Sequence, residues 1–253
     1  MRQDERRRFA TALEDARRAA YPPGEYVGQE SFMSAGEIRE LARRARIGAD
    51  TSVLDVCCGV AGPGRLITAE TGCRYLGVDY SASALQVARA LGGDVAGRFE
   101  QARVPPLPDG RFDVVLLLET MLAFADKAVL LAAVARALRP GGRFACTVEE
   151  GRPLTGSERA AMPDADTVWL IELAELEALL AGAGLRVTWQ QDCTAAHHAT
   201  ASALLRSLMA RSDHLAGHLG RQAVVELITS HQLWSDWLGR GRVRKFALVA
   251  EPR

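Results

Sequence analysis

The sequence predicts an α/β fold: a mostly parallel sheet with helices on both faces. Three features carry that expectation. Short apolar runs, VLDVC at 53–57, RYLGVD at 74–79 and DVVLLL at 113–118, have the near-continuous hydrophobicity of strands buried on both sides. Segments of helical periodicity separate them, and parallel strands need such crossovers. A glycine-rich turn, Gly59 to Gly64, joins the first strand to the helix after it.

Taken in order, residues 3–20 read as an exposed helix with Phe9, Leu13 and Ala16 at helical spacing, stopped by Tyr21-Pro22-Pro23-Gly24. A helix at 35–46 leads into the first strand at 53–57. The second strand, 74–79, precedes a helix at 81–91 with Ser81 as its N-cap. Residues 97–102 form a weaker third strand, 113–118 the fourth, and 124–138 a helix. Pro140-Gly141-Gly142 then turns the chain into a fifth strand, 143–150. An amphipathic helix at 170–181 ends at Gly182 and Gly184, before a sixth strand at 185–191. Residues 195–233 carry i,i+4 apolar pairs such as Leu204/Leu208 and Val224/Ile228, and read as two helices. VRKFALVAE, 243–251, is the last strand. The division is therefore an N-terminal helical and covering segment (1–46), a sheet core (47–194), a helical lid or substrate wall (195–238) and a returning strand (239–253).

Composition removes several function classes. Lys+Arg and Asp+Glu both total 31, so no global field attracts nucleic acid or an anionic membrane. Only Lys127 and Lys245 are lysines, an arginine bias that the base composition of a coding genome explains. The five cysteines, Cys57, Cys58, Cys73, Cys146 and Cys193, are odd in number and lack C-x-x-C spacing, which points to a reducing cytoplasm rather than a disulfide framework or a zinc ribbon. The charged N-terminus MRQDERRRF is unlike a signal peptide, and no apolar run reaches the roughly 20 residues of a membrane span.

The first strand and turn read Val53-Leu54-Asp55-Val56-Cys57-Cys58-Gly59-Val60-Ala61-Gly62-Pro63-Gly64, and the second strand ends at Asp79, 20 residues beyond Gly59. Glycine lets the backbone approach a ligand, and an acid at that distance can hold a ribose. Two cofactor classes meet this description. A dinucleotide site wants G-x-G-x-x-G and a helix N-terminus on the pyrophosphate. Here the spacing is G-x-x-G-x-G, and Asp55 at the strand end would repel a pyrophosphate but favour the ammonium and sulfonium of S-adenosylmethionine. The electrostatics favour the cationic cofactor.

These motifs resemble those of the class I S-adenosylmethionine-dependent methyltransferases. VLDVCCGVAGPGR resembles their glycine-rich first motif, with Cys57 and Ala61 where glycine is commoner. YLGVDYS, LPDGRFDVVLLLE, LRPGGRFACTVEE and ELEALLAGAGLRV resemble the motifs that follow. The resemblance implies a Rossmann-like seven-stranded sheet of order 3-2-1-4-5-7-6 with the last strand antiparallel. It implies that Asp79 binds ribose, Tyr80 packs on adenine, and Gln101 and the Ala102 N–H contact the adenine edge. Asp55, Cys57, Gly59 and Gly62 form the cofactor turn, and Glu119 faces the methionine end or serves as a helix N-terminal acid. Tyr26 to Gly36 resembles the N-terminal segment of small-molecule methyltransferases, in which Tyr26 and Ser34 would close over the cofactor.

For catalysis the candidates are Tyr26, Glu149 and His198, the last sharing the lid with His197, Trp234 and Trp237. His214 and His218, at i,i+4, lack a third ligand of suitable spacing, so no metal is expected. The run Arg240, Arg242, Arg244, Lys245 reads as a solvated strand edge, and as a phosphate clamp only in a minority reading. The expected function is methyl transfer from S-adenosylmethionine to an N, O or C atom of a small molecule. The alternatives are a non-catalytic S-adenosylmethionine-binding or partner-binding module and, more remotely, a nucleic-acid methyltransferase.

Overall fold

The computed structural model describes residues 13–92 and 98–253. The chain opens on α1 (13–18), within the helix expected at 3–20, and α2 (Ala35–Arg44); residues 3–12 of that expectation, with Phe9, lie outside the described residues. β1 (Ser52–Val56), α3 (Gly62–Thr71), β2 (Arg74–Asp79), α4 (Ala82–Leu91), β3 (Arg98–Gln101) and β4 (Phe112–Leu117) follow. Ser81 caps α4 by accepting the Ala84 N–H, and Asp126 caps α5 (Lys127–Ala137) through the Val129 N–H. β5 (Leu138–Glu150), α6 (Gly156–Ala161), α7 (Leu173–Gly182) and β6 (Leu185–Asp192) complete the parallel half. The chain then runs through α8 (Thr194–Ala210), α9 (Ser212–Leu219) and α10 (Arg221–Gly239) to β7 (Arg244–Pro252).

All seven strands form one sheet of order β3-β2-β1-β4-β5-β7-β6. The pairs β1/β2, β1/β4, β2/β3 and β4/β5 are parallel, and β7 is antiparallel to both β5 and β6. The expected Rossmann-like order is the observed one. One face of the sheet is covered by a cluster around Leu54, Leu117, Leu130, Phe144 and Leu176, the other by one around Met33, Ile38, Leu41, Leu116 and Val249. Burial on both faces is why the inner stretches Val53-Leu54 of β1, Val114 to Leu117 of β4 and Phe246 to Ala250 of β7 are apolar.

Two expectations need correction. Residues 195–233 hold three helices rather than two: α8 breaks at Arg211, where no Gly or Pro announces it, and α9 ends at Gly220 (φ 83°). Gly217 sits inside α9 without breaking it. β5 begins at Leu138 rather than after the glycine pair, because Leu138 pairs with Phe112 and the register then shifts before Val114 meets Arg143. Among the described residues all five cysteines are free, and no helix is long and apolar enough to cross a membrane.

Candidate functional site

The turn between β1 and α3 is built by three glycines with different tasks. Gly59 has φ 55°, and a Cβ there would meet nothing closer than Glu30 at 3.6 Å, so this is the glycine that faces open space. Its N–H donates to Asp79 Oδ2 at 2.9 Å, and the Ser81 N–H donates to Asp79 Oδ1 at 2.8 Å. Asp79 thus ties the ends of β1 and β2 together. At Gly62 a Cβ would strike the backbone of Gly28 and Gln29, and at Gly64 it would strike the Tyr75 ring. Those two glycines make room for protein. Cys57 (φ 61°) and Ala61 (φ 56°) hold the left-handed conformation that glycine adopts without strain. Gly62→Ala is expected to cost about 1–3 kcal/mol, the usual range for overpacking, and to lift the 25–34 segment off the turn. An unchanged Tm and unchanged proteolysis of that segment would contradict this packing.

Above the turn, at the carboxyl ends of β1, β2 and β4, lies a cavity of about 770 Å³. Asp55, Gly59, Asp79, Tyr80 and Glu119 line it, with Gly28 to Ser31 on one side and Phe124, Asp166 and Thr167 on another. Among the described residues, five carboxylates (Glu30, Asp55, Asp79, Glu119, Asp166) reach its wall against a single basic residue, Arg103. Asp55 is buried at its floor and accepts the Tyr75 O–H at 2.6 Å. Burial, with the charge of Asp79 adding to it, pushes the Asp55 carboxyl up to about 7 despite that hydrogen bond. The Tyr80 ring is 65% exposed at the rim, with the Arg103 guanidinium 5.7 Å from its centroid.

Of the residues expected at the site, Asp55, Cys57, Gly59, Gly62, Asp79, Tyr80, Ala102 and Glu119 line this cavity. The Ala102 N–H, and the remaining expected residues, are engaged elsewhere. The Ala102 N–H is already bonded to the Asp79 carbonyl at 3.1 Å, because the β2/β3 ladder continues one residue past β3. Gln101 points outward and donates its amide to the Tyr80 carbonyl, leaving Arg103 and Val104 on the wall. Ser34 is the N-cap of α2 in a capping box with Glu37. Tyr26 packs on Tyr21 under the Arg18 guanidinium. The segment does cover the turn, but through Gly28 to Ser31, and its hub is Gln29. That side chain is buried, accepts the Val27 N–H, and donates to the carbonyls of Glu25 and Met33. His198 packs against Gly239, and Trp234 and Trp237 stack edge to face in a separate apolar cluster with Leu154 and Met162. The helices α8 to α10 meet the N-terminal segment, since Leu204, Leu208 and Val224 pack with Tyr21, Tyr26 and Phe32.

Behind the cavity lies a buried charge network that sequence reasoning missed. Lys245, 3% exposed, donates to Glu119 Oε2 at 2.7 Å and to Glu149 Oε1. Burial alone would lower the ammonium pKa, but the two carboxylates outweigh it and lift it to about 12. Glu149 is raised by burial, which Lys245 opposes, and by the charge of Glu119. Burial acts to raise Glu119 as well, yet Lys245 and the imidazole of His197 hold it below the usual carboxylate range. Glu149 is therefore the anchor of an ion pair rather than a residue on the cavity. Glu119 joins the network to the cavity, and its φ of 58° is the strained geometry that functional positions often keep. The neighbouring arginines are also paired: Arg244 with Glu150 and Arg242 with Glu158.

Residues 54–146 match the family described as a methyltransferase domain. The methyltransferase GfsG of Streptomyces halstedii is 33% identical over 124 residues, which is 46% of this chain and 45% of that protein. Residues 54–146 of this chain carry a methyltransferase domain. Two solved structures share the fold of this chain over 96% of its length. One is the [4+2]-cyclase SpnF (TM-score 0.75, 16% identity, 92% of that chain). The other is phosphoethanolamine N-methyltransferase 2 of Haemonchus contortus in complex with S-adenosyl-L-methionine (TM-score 0.78, 17% identity, 57% of that chain). The chain matches less than half the length of the curated relatives. The matched span runs from β1 into β5 and contains Asp55, Gly59, Asp79 and Glu119. The covering segment and the stretch from α8 to β7, which supplies His197 and Lys245, lie outside it.

Proposed function

We propose that this chain transfers the methyl group of S-adenosylmethionine to an N, O or C atom of an uncharged or cationic small molecule. The observation that carries this reading is the cavity wall, with five carboxylates to one arginine. Glu119 is paired with Lys245 and Glu30 with Arg17, and Asp55, Asp79 and Asp166 still outnumber Arg103, so the wall disfavours the pyrophosphate of a dinucleotide or a phosphorylated acceptor and favours a ligand bearing a sulfonium and an ammonium. The donor set fits that cofactor: Asp79 keeps lone pairs beyond its two backbone bonds for a ribose, and the Tyr80 ring offers a face to adenine. The cofactor supplies a methyl group already activated by the sulfonium. The chain then needs to align acceptor and methyl and exclude water, and alignment alone contributes up to ~7–11 kcal/mol. A reducing, cytoplasmic setting is supported by the five free thiols.

The test is calorimetry followed by turnover. S-adenosylmethionine should bind in the micromolar range, ~−8 kcal/mol, and NAD should not bind. Because the Asp55 carboxyl sits at about 7, it is neutral below that pH and anionic above it. A cationic ligand prefers the anion, so affinity should rise about tenfold between pH 6 and pH 8, and Asp55→Asn should abolish the rise. Labelled S-adenosylmethionine with a metabolite extract should yield a labelled product. Binding without transfer to any metabolite would leave a non-catalytic cofactor-binding module, and NAD binding would overturn the reading.

A further inference from the structure

We propose that Glu37, Cys193 and His197 form a binding site for a zinc-class divalent ion that pins α2 to the start of α8. The three side chains come from two elements far apart in sequence. Their donor atoms, Glu37 Oε, Cys193 Sγ and a His197 ring nitrogen, all lie within 4.8 Å of one another. Thiolate, imidazole and carboxylate are the ligand types that zinc takes.

The decisive residue is His197. It is 1% exposed, and neither ring nitrogen has a hydrogen-bond partner. Buried polar groups are seldom left so, and an unpaired one calls for an explanation. Nε2 stands 3.3 Å from Glu37 Oε1 without the alignment of a hydrogen bond. Two ligands at zinc–nitrogen and zinc–oxygen distances in a tetrahedron are about 3.3 Å apart. The separation is that of two donors sharing an ion. Glu37 is divided to suit, because its Oε2 already accepts the Ser34 N–H at 2.8 Å and leaves Oε1 free for a second partner.

The other side of the ring fits the same reading. Nδ1 faces Glu119 Oε1 at 3.9 Å, and that oxygen is also buried without a partner. A carboxylate behind the second nitrogen of a ligating histidine is the usual support for a zinc-bound imidazole. One thiolate and one carboxylate neutralise a divalent ion, so the buried cluster carries no net charge once it is bound. Three protein donors leave one coordination position for a water or another small ligand. Through Glu119 the ion would also hold the cavity wall, while the pair His214/His218, whose rings meet edge to face on α9, has no third donor among the described residues.

The experiment is metal analysis of the full chain, produced without a chelating tag in medium supplied with zinc or cobalt. Wild type should carry about one metal ion per chain, and the cobalt form should show a thiolate-to-cobalt charge-transfer band in the near ultraviolet. Cys193→Ser should abolish that band, His197→Gln should reduce bound metal at least tenfold, and His214→Ala/His218→Ala should retain both. S-adenosylhomocysteine binding by Cys193→Ser reports that the variant is folded; if it is not, the wild-type cobalt spectrum decides alone. A wild type that takes up neither ion, or a Cys193→Ser variant with an unchanged cobalt band, would overturn the site and leave His197 as a bridge between two carboxylates.

Discussion

Lys245→Met is expected to destabilise the protein by about 3–5 kcal/mol at neutral pH, measured from its denaturant midpoint. The ammonium is the shared partner of Glu119 and Glu149, and all three groups are buried. Without it, two carboxylates remain in a low-dielectric interior with no counter-ion, and each is costly there. Their folded-state pKa values then rise above the unfolded values of about 4.3. Acids raised on folding lose stability as pH climbs above the unfolded pKa. The defect should therefore grow from pH 5 to pH 8 and shrink on acidification. Adding Glu149→Leu to Lys245→Met should recover more than half of the loss, because one of the two stranded charges is gone. A loss below about 1 kcal/mol, or one that does not vary with pH, would mean that the pair is not a structural ion pair.

That network also marks the limit of what the sequence discloses. β1, β2 and β4 were legible because a strand buried on both faces must be apolar along its length, and the glycine turn because it interrupts such a run. Lys245 was not. It follows Arg240, Arg242 and Arg244, a spacing that suits an exposed strand edge. The order β5-β7-β6 instead places β7 inside the sheet, so the side chain that looks like the end of a basic run enters the core. A signal did exist. Lys127 and Lys245 are the two lysines among 31 basic residues, and both are buried, with Lys127 donating to the carbonyls of Phe124 and Trp169. A compact ammonium fits a closed ring of oxygens where a planar guanidinium does not. Gln29 was missed for a related reason: its three hydrogen bonds all close a loop on itself, and loop closure of that kind has no periodicity to detect.

Asp79→Ala is expected to weaken S-adenosylhomocysteine binding by about 2–4 kcal/mol, a rise in Kd of roughly 30-fold to 1000-fold. Two losses combine. The carboxylate fixes the Gly59 and Ser81 N–H groups, so its removal loosens the turn at the glycine that faces the cavity and the N-terminus of α4. It also removes the charged acceptor assigned to the ribose hydroxyls. The two are separable with an analogue that lacks the 2′-hydroxyl. If Asp79 holds the ribose, the wild type binds the analogue more weakly than the parent, and Asp79→Ala binds the two alike. If Asp79 only braces the turn, the analogue penalty is the same in both proteins. Asp79→Asn refines the test, because its amide keeps one acceptor oxygen for the Gly59 or Ser81 N–H but carries no charge. Its affinity should fall between the other two. An Asp79→Ala variant that binds S-adenosylhomocysteine within about threefold of wild type would remove Asp79 from the cofactor site, and with it the reason for reading the end of β2 as a ribose clamp.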